Sequence, residues 1–138
     1  MIIGVLKEPS PETRVSLLPE HVAILKKWNV DVLVESNAGV TAFANDGKYT
    51  EAGANIKSRS EVLQRSDFIV SINALPQSEI TDLKSKVILG VYQPLFNAGL
   101  MKELAAKGLT VFSMDMLPRT TRAQSMDIVS SQANIAGY

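Results

Sequence analysis

The chain has no cysteine and a single histidine, His21, and these two shortages remove more chemistry than any motif supplies. Without thiols there is no disulfide framework and no thiolate nucleophile, and a zinc site would have to rest on His21 plus carboxylates. One histidine also leaves no credible Ser-His-Asp set. His21 follows Pro19-Glu20 in the first turn of a predicted helix, where an exposed surface role is expected. No Gly-x-Gly-x-x-Gly and no Walker-type loop follows any predicted strand, so neither kind of phosphate cradle is present. No apolar run approaches the length of a membrane span, and the opening Met1 to Lys7 is too short for a signal peptide and lacks its basic lead. A cytoplasmic address is the resulting expectation. Charge of one sign is lacking too: 14 basic residues balance 14 acidic ones and are scattered, which argues against nucleic acid as a partner.

What the chain does have is enough apolar material for one core, 46% hydrophobic over 138 residues. Short β-branched runs alternate with amphipathic, capped segments, the pattern of parallel strands joined by crossover helices. Strands are predicted over Ile2 to Leu6, Val30 to Glu35, Asp67 to Ile72, Val87 to Val91 and Leu109 to Ser113. Between them, Pro19 opens a helix running to about Trp28, with Val22, Leu25 and Trp28 turned inward. Asp46 to Ala52 reads as a short helix closed by Gly53, and Ser58-Arg59-Ser60-Glu61 carries a capping box. Another helix runs from Asn97 to Lys107 and stops at Gly108. The expected fold is α/β: an open, doubly wound, mainly parallel sheet of about five strands, flavodoxin- or Rossmann-like, with helices on both faces. Such sheets bind ligands at the carboxyl ends of their strands.

Three places at that edge carry polar groups. The loop from Lys7 to Ser16 holds Arg14, a candidate for bidentate binding of a carboxylate or phosphate and equally a solvated loop arginine. Asn73, before Pro76, and Gln93, before Pro94, offer amides where proton-transfer catalysis would want histidine, lysine or a carboxylate. The third place, Met114 to Tyr138, is the most distinctive. At about 100° per residue it reads as an amphipathic helix, with Gln124, Asp127, Ser130, Ser131 and Asn134 on one flank and Met126, Val129, Ala133 and Ala136 on another. Ordinary solvated faces are built from lysine and glutamate. A face of amides and hydroxyls led in by Arg119 and Arg122 is suited to hydrogen-bond a ligand, or it belongs to a capped and partly buried helix. Arg119 and Asp127 can pair there, while Asp127 is also favoured near a helix start by the macrodipole. The helical pattern is still running at Tyr138, with Gly137 able to cap it, and a fragment is expected.

The segment Pro118-Arg119-Thr120-Thr121-Arg122-Ala123-Gln124-Ser125-Met126-Asp127, continued by Ser130-Ser131-Gln132-Ala133-Asn134-Ile135-Ala136-Gly137-Tyr138, closely resembles the NAD(H)-binding component of proton-translocating transhydrogenases. Lys7-Glu8-Pro9 with Glu12-Thr13-Arg14-Val15 and Pro19 is similar to that family and to alanine dehydrogenases. The resemblance covers the whole chain. It implies that residues 1–138 form the first of two α/β domains, with the Rossmann NAD-binding domain expected after 138 and absent here. It further implies that Arg119, Gln124, Asp127 and Ser130 surround the nicotinamide end of NAD(H). In that scheme Arg119 and Ser130 lie near the carboxamide, Asp127 orients Arg119, and Gln124 faces the partner component that binds NADP(H). The implied catalytic residues are Arg119, Gln124 and Asp127. The implied partners are the rest of the alpha subunit, a membrane-bound NADP(H)-binding beta subunit and a second copy, so that the domain lies peripheral to a membrane through its partners.

Alanine dehydrogenase is the competing resemblance. In that enzyme a lysine corresponds to Asn73 and a histidine to Gln93, and both serve a reaction that must form and break a carbinolamine. Hydride transfer between two nicotinamides moves no proton at the reacting carbons and needs mainly positioned rings. Asn73 and Gln93 therefore favour the transhydrogenase side over a substrate domain of an alanine- or saccharopine-type dehydrogenase, and leave the role of Arg14 open. A non-catalytic doubly wound binding module is the third reading.

Overall fold

Runs such as Ile2-Ile3-Gly4-Val5 and Val87-Ile88-Leu89-Gly90-Val91 are apolar on successive residues, as strands buried on both faces must be, and each becomes part of one parallel sheet. In the computed structural model, residues 1–137 are described; Tyr138, the end of the terminal motif, lies outside the described residues. The elements are β1 (Ile2–Val5), α1 (Pro19–Lys27), β2 (Asp31–Glu35), α2 (Asp46–Glu51), β3 (Asn55–Lys57), α3 (Arg59–Arg65), β4 (Phe68–Asn73), α4 (Gln77–Ile80), β5 (Val87–Val91), α5 (Ala98–Ala106), β6 (Thr110–Ser113) and α6 (Ile128–Ala136). The strand order is β3-β2-β1-β4-β5-β6, with every neighbouring pair parallel. Strand order reverses between β1 and β4, so the crevice of this doubly wound fold opens beyond Val5 and Asn73.

Side-chain alternation along the strands divides the core in two. Leu6, Leu33, Ile69 and Ile88 pack with Val62 of α3, Ile80 of α4 and Leu104 of α5. Val5, Val32 and Val34 pack on the other face with Val22 of α1 and Tyr49 of α2. The Tyr49 hydroxyl, buried with its ring, donates to the Leu17 carbonyl at 2.7 Å and so fastens the loop that follows β1. Gly4 is required by close packing: a Cβ there would lie 2.3 Å from Ser66 Oγ and 2.8 Å from Val62 Cγ1. The capping box starts α3 as the sequence indicates, Ser58 Oγ accepting from Glu61 N while Ser58 N donates to the Glu61 carboxylate.

The expected fold is found, with three corrections. The sheet has a sixth strand, β3, whose three residues include exposed Asn55 and alternate too briefly to register as a period in the sequence. Trp28 is not inward: α1 ends at Lys27, and the indole is 70% exposed at the helix cap. The terminal segment is not one helix. Thr121–Met126 is a 3₁₀ stretch, and α6 starts afresh at Ile128 because the Asp127 carboxylate captures the free N–H groups of Val129 and Ser130. Gly137 caps α6 with an ordinary right-handed backbone. No residue of α6 is buried, and between it and Val70, Ile72, Leu89 and Val91 of the sheet lies a cavity of about 770 Å³. No helix of the described residues is long and apolar enough to cross a membrane.

Candidate functional site

The chain leaves β6 through a single 3₁₀ turn, Met114–Met116, and Arg119 then sits at the centre of a tight turn in which Thr120 N donates to the Pro118 carbonyl at 2.8 Å, before the next 3₁₀ stretch begins. Because the backbone breaks at Asp127, residues from four successive pieces converge: Arg119 from the turn after Pro118, Gln124 from the 3₁₀ stretch, Asp127 from the junction and Ser130 from the first turn of α6. All four line one cavity of about 340 Å³, together with Asp115, Thr120 and the apolar side chains of Leu117, Ala123 and Val129. On a continuous helix, Gln124 and Asp127 would share a flank with Ser130; here the kink turns them toward it around a hollow.

The Asp127 carboxylate accepts from Val129 N at 3.0 Å, from Ser130 N at 3.2 Å and from Ser130 Oγ at 2.7 Å. Those bonds hold it below the usual carboxylate range, the Ser130 hydroxyl first, then main-chain N–H groups, with the charge of Arg119 the smallest contribution. Asp127 is therefore a helix cap in this arrangement. Arg119 lies in its field without an ion pair inside 4 Å among the described residues. A charged fork of donors, a hydroxyl oxygen and a primary amide thus face one polar hollow, with the guanidinium unpaired among the described residues. That donor set suits a planar amide or carbonyl group.

Asp115 was not legible as part of this set. It accepts a short hydrogen bond from Ser113 Oγ, which itself accepts from Tyr92 N at 2.9 Å, so the ends of β5 and β6 are tied to the turn that leads to Arg119. Its only sequence signal is its place just after a predicted strand.

The other candidates lie apart from that cavity. Arg14 is committed: its Nε and Nη2 donate to Glu12 at 2.9 and 2.7 Å, and its own N–H to the same carboxylate at 2.9 Å. That guanidinium pulls the Glu12 carboxyl down to about 2. Asn73 donates through Nδ2 to Glu8 at 2.9 Å, and Gln93 is exposed on a left-handed backbone with φ 46°. His21 is exposed at the start of α1, as expected.

Among the described residues, the ends of β1 and β4 have no glycine-rich turn. The carboxyl ends of the strands carry Glu8, Pro9 and Asn73 where a glycine-rich turn would be needed.

Residues 4–136 match the family model described as alanine dehydrogenase/PNT, N-terminal domain. The NAD(P) transhydrogenase subunit alpha of Haemophilus influenzae is 41% identical over 140 residues, which is the whole of this chain and 27% of that protein. The crystal structure of a transhydrogenase from Sinorhizobium meliloti superposes with a TM-score of 0.93 at 37% identity, covering all of this chain and 42% of the other. An alanine dehydrogenase of Staphylococcus epidermidis is 37% identical over 98 residues, 70% of this chain and 26% of that enzyme. The chain thus spans between 25% and 38% of the length of the curated proteins it resembles, and its likeness to the transhydrogenase subunit extends through the terminal segment. It belongs to the alanine dehydrogenase/PNT N-terminal domain family.

Proposed function

We propose that this chain forms one wall of the NAD(H) site of a transhydrogenase alpha component, serving hydride transfer between NADH and NADP⁺ coupled to proton translocation. The observation that carries the reading is the hollow of about 340 Å³ in which Arg119, Gln124, Asp127 and Ser130 converge, with the guanidinium unpaired among the described residues. The dihydronicotinamide ring supplies the hydride; the residues of this chain bind and orient. Arg119 donates to the carboxamide oxygen, and Ser130 Oγ, whose N–H and hydroxyl proton are both held by Asp127, accepts from the carboxamide NH₂. Gln124 faces the component that holds NADP(H). Beyond 138 the reading requires a Rossmann domain to grip the pyrophosphate. It further requires a membrane-bound NADP(H)-binding partner, with the alpha component working as a dimer at the cytoplasmic side.

The two carboxylates that line the hollow, Asp115 and Asp127, are engaged by Ser113 Oγ and by the first turn of α6, and Asn73 and Gln93 stand outside it, which favours hydride exchange between rings over oxidative deamination. The test is Arg119→Ala in the assembled enzyme. Losing one charge-assisted bond weakens NADH binding modestly. A ring free to rotate loses near-attack geometry, so single-turnover hydride transfer should fall about 100-fold. Transfer at the wild-type rate, or robust NAD-dependent oxidation of alanine by the unmodified protein, sinks the reading.

A further inference from the structure

Asp115 lines the hollow with half of its carboxylate unused. Its Oδ1 accepts the short hydrogen bond from Ser113 Oγ, and its Oδ2 has no hydrogen-bond or ionic partner among the described residues. The side chain is exposed, yet its anchor is firm. Ser113 Oγ accepts from Tyr92 N at 2.9 Å, which leaves its single proton for Asp115, and Tyr92 is fully buried in the core. A chain of two bonds from the end of β5 thus fixes one carboxylate oxygen and leaves the other to the hollow before any ligand arrives. The other polar side chains there offer something different. Arg119 only donates, and Thr120, Gln124 and Ser130 each carry a donor as well as an acceptor. Asp127 only accepts, but both of its oxygens are taken by α6, Oδ1 by Val129 N and Ser130 N and Oδ2 by Ser130 Oγ. Asp115 Oδ2 is therefore the one carboxylate oxygen of the hollow without a donor among the described residues.

A carboxamide brings one oxygen and two N–H hydrogens. With Arg119 on the oxygen and Ser130 Oγ on one hydrogen, the second hydrogen still needs an acceptor. We infer that Asp115 is a specificity-determining residue: its Oδ2 accepts the second N–H of the carboxamide and so selects a primary amide over an acid or a ketone on the bound ring. The role rests on the reading of the hollow as the nicotinamide subsite. A donor-only group on one side and two acceptors on the other admit the amide in one orientation, which fixes the ring that carries it. A carboxylate in its place would set two like charges face to face, and a methyl ketone would leave Asp115 Oδ2 without a hydrogen. Because Asp115 is exposed, water softens both penalties, and the discrimination expected is about tenfold.

The experiment measures equilibrium binding to the full-length protein by calorimetry, with no turnover. The ligands are NADH and its reduced acetylpyridine analogue, in which a methyl group replaces the amide nitrogen. Asp115→Ala should weaken NADH about tenfold and the analogue less than about twofold, since the analogue has no N–H to lose. Damage to the turn that carries Arg119 would weaken both ligands equally. That result, or an unchanged NADH affinity, overturns the inference. A second comparison reads the charge, setting NAD⁺ against nicotinic acid adenine dinucleotide, whose ring bears a carboxylate. The wild-type preference for NAD⁺ should shrink about tenfold in Asp115→Ala, and an undiminished preference refutes the role. If alanine prevents folding, Asp115→Asn decides on this second ratio, because it keeps the shape and drops the charge. Arg119→Ala separates the role of Asp115 from the reading beneath it. Both reduced ligands keep the ring carbonyl, so Arg119→Ala should weaken the two alike. If it does so while Asp115→Ala shows no selectivity, the nicotinamide subsite stands and Asp115 has no part in it; if it weakens neither, the subsite reading fails and the role of Asp115 with it.

Discussion

Replacing Arg59 by methionine tests how the ligand edge of the sheet is held in shape. Arg59 is the first residue of α3, and its fork reaches three elements at once. Nε and Nη2 donate to the two Glu79 oxygens at 2.5 and 2.9 Å, and Nη1 donates to Glu35 Oε2 at 2.8 Å and to the Lys7 carbonyl at 3.0 Å. Methionine keeps the apolar stem and removes the charge, leaving two carboxylates facing each other. Exposed ion pairs contribute about 0–1 kcal/mol, whereas breaking a fully buried one costs about 3–5. The three side chains retain 31%, 14% and 21% of their surface, so this cluster falls between those limits. The bidentate geometry places the expected loss at about 2–3 kcal/mol. For a domain of this size that lowers the midpoint of thermal unfolding by roughly 8–12 °C. A cycle with Glu79→Gln should show coupling of about 1–2 kcal/mol, because the glutamine already relieves the repulsion that methionine exposes. Calorimetry on the four proteins is the assay. A midpoint shift below about 2 °C in Arg59→Met, or strict additivity in the double variant, refutes the assignment of Arg59 as the clamp between β1, β2 and α4.

Three further outcomes are expected. Gly4→Ala should cost about 1–3 kcal/mol in denaturant melts, since its new methyl meets Ser66 Oγ and Val62 inside a packed core; an unchanged midpoint would show that α3 can withdraw from β1. Glu12, brought down to about 2 by Arg14, contributes stability that is fully present above its ordinary value of 4.5 and is lost as pH falls toward 2. Arg14→Gln should return the Glu12 titration to near 4.5 by NMR, and a wild-type Glu12 titrating there already would contradict the pairing. The 138-residue chain by itself should bind NADH with a dissociation constant weaker than micromolar, because nothing in it grips the pyrophosphate; calorimetry giving micromolar or tighter binding would count against the division of the site between two domains.

Most of the architecture was written locally. Runs of β-branched residues bounded by capped helices sufficed to place β1, β2, β4, β5 and β6 within a residue or two, because parallel strands covered on both faces leave uninterrupted apolar stretches. The capping box at Ser58 and the proline start at Pro19 served equally well for α3 and α1. β3 failed that test, being a three-residue edge whose pairing with Leu33 to Glu35 gives it its identity. Trp28 failed it because a periodicity carries no mark of where the helix stops. The terminal segment shows the same limit more sharply, for a 3.6-residue pattern ran unbroken through Asp127 while the side chain of Asp127 was ending one helical stretch and starting another.

Residue type and spacing along the chain were enough for the fold class, the resemblance to the family, the absence of thiols and the naming of Arg119, Gln124, Asp127 and Ser130 as candidates. Only the tertiary structure decided what those side chains do to one another. Hydrogen-bond partners are fixed by which backbone groups the fold leaves unpaired, and a linear pattern does not state them. Asp127 therefore went to the free N–H groups of α6 and left Arg119 without a counter-ion inside 4 Å among the described residues. By the same rule Glu8, 64 residues distant in sequence from Ile72, accepts from the Ile72 and Asn73 amides beside the shift in β4–β5 register.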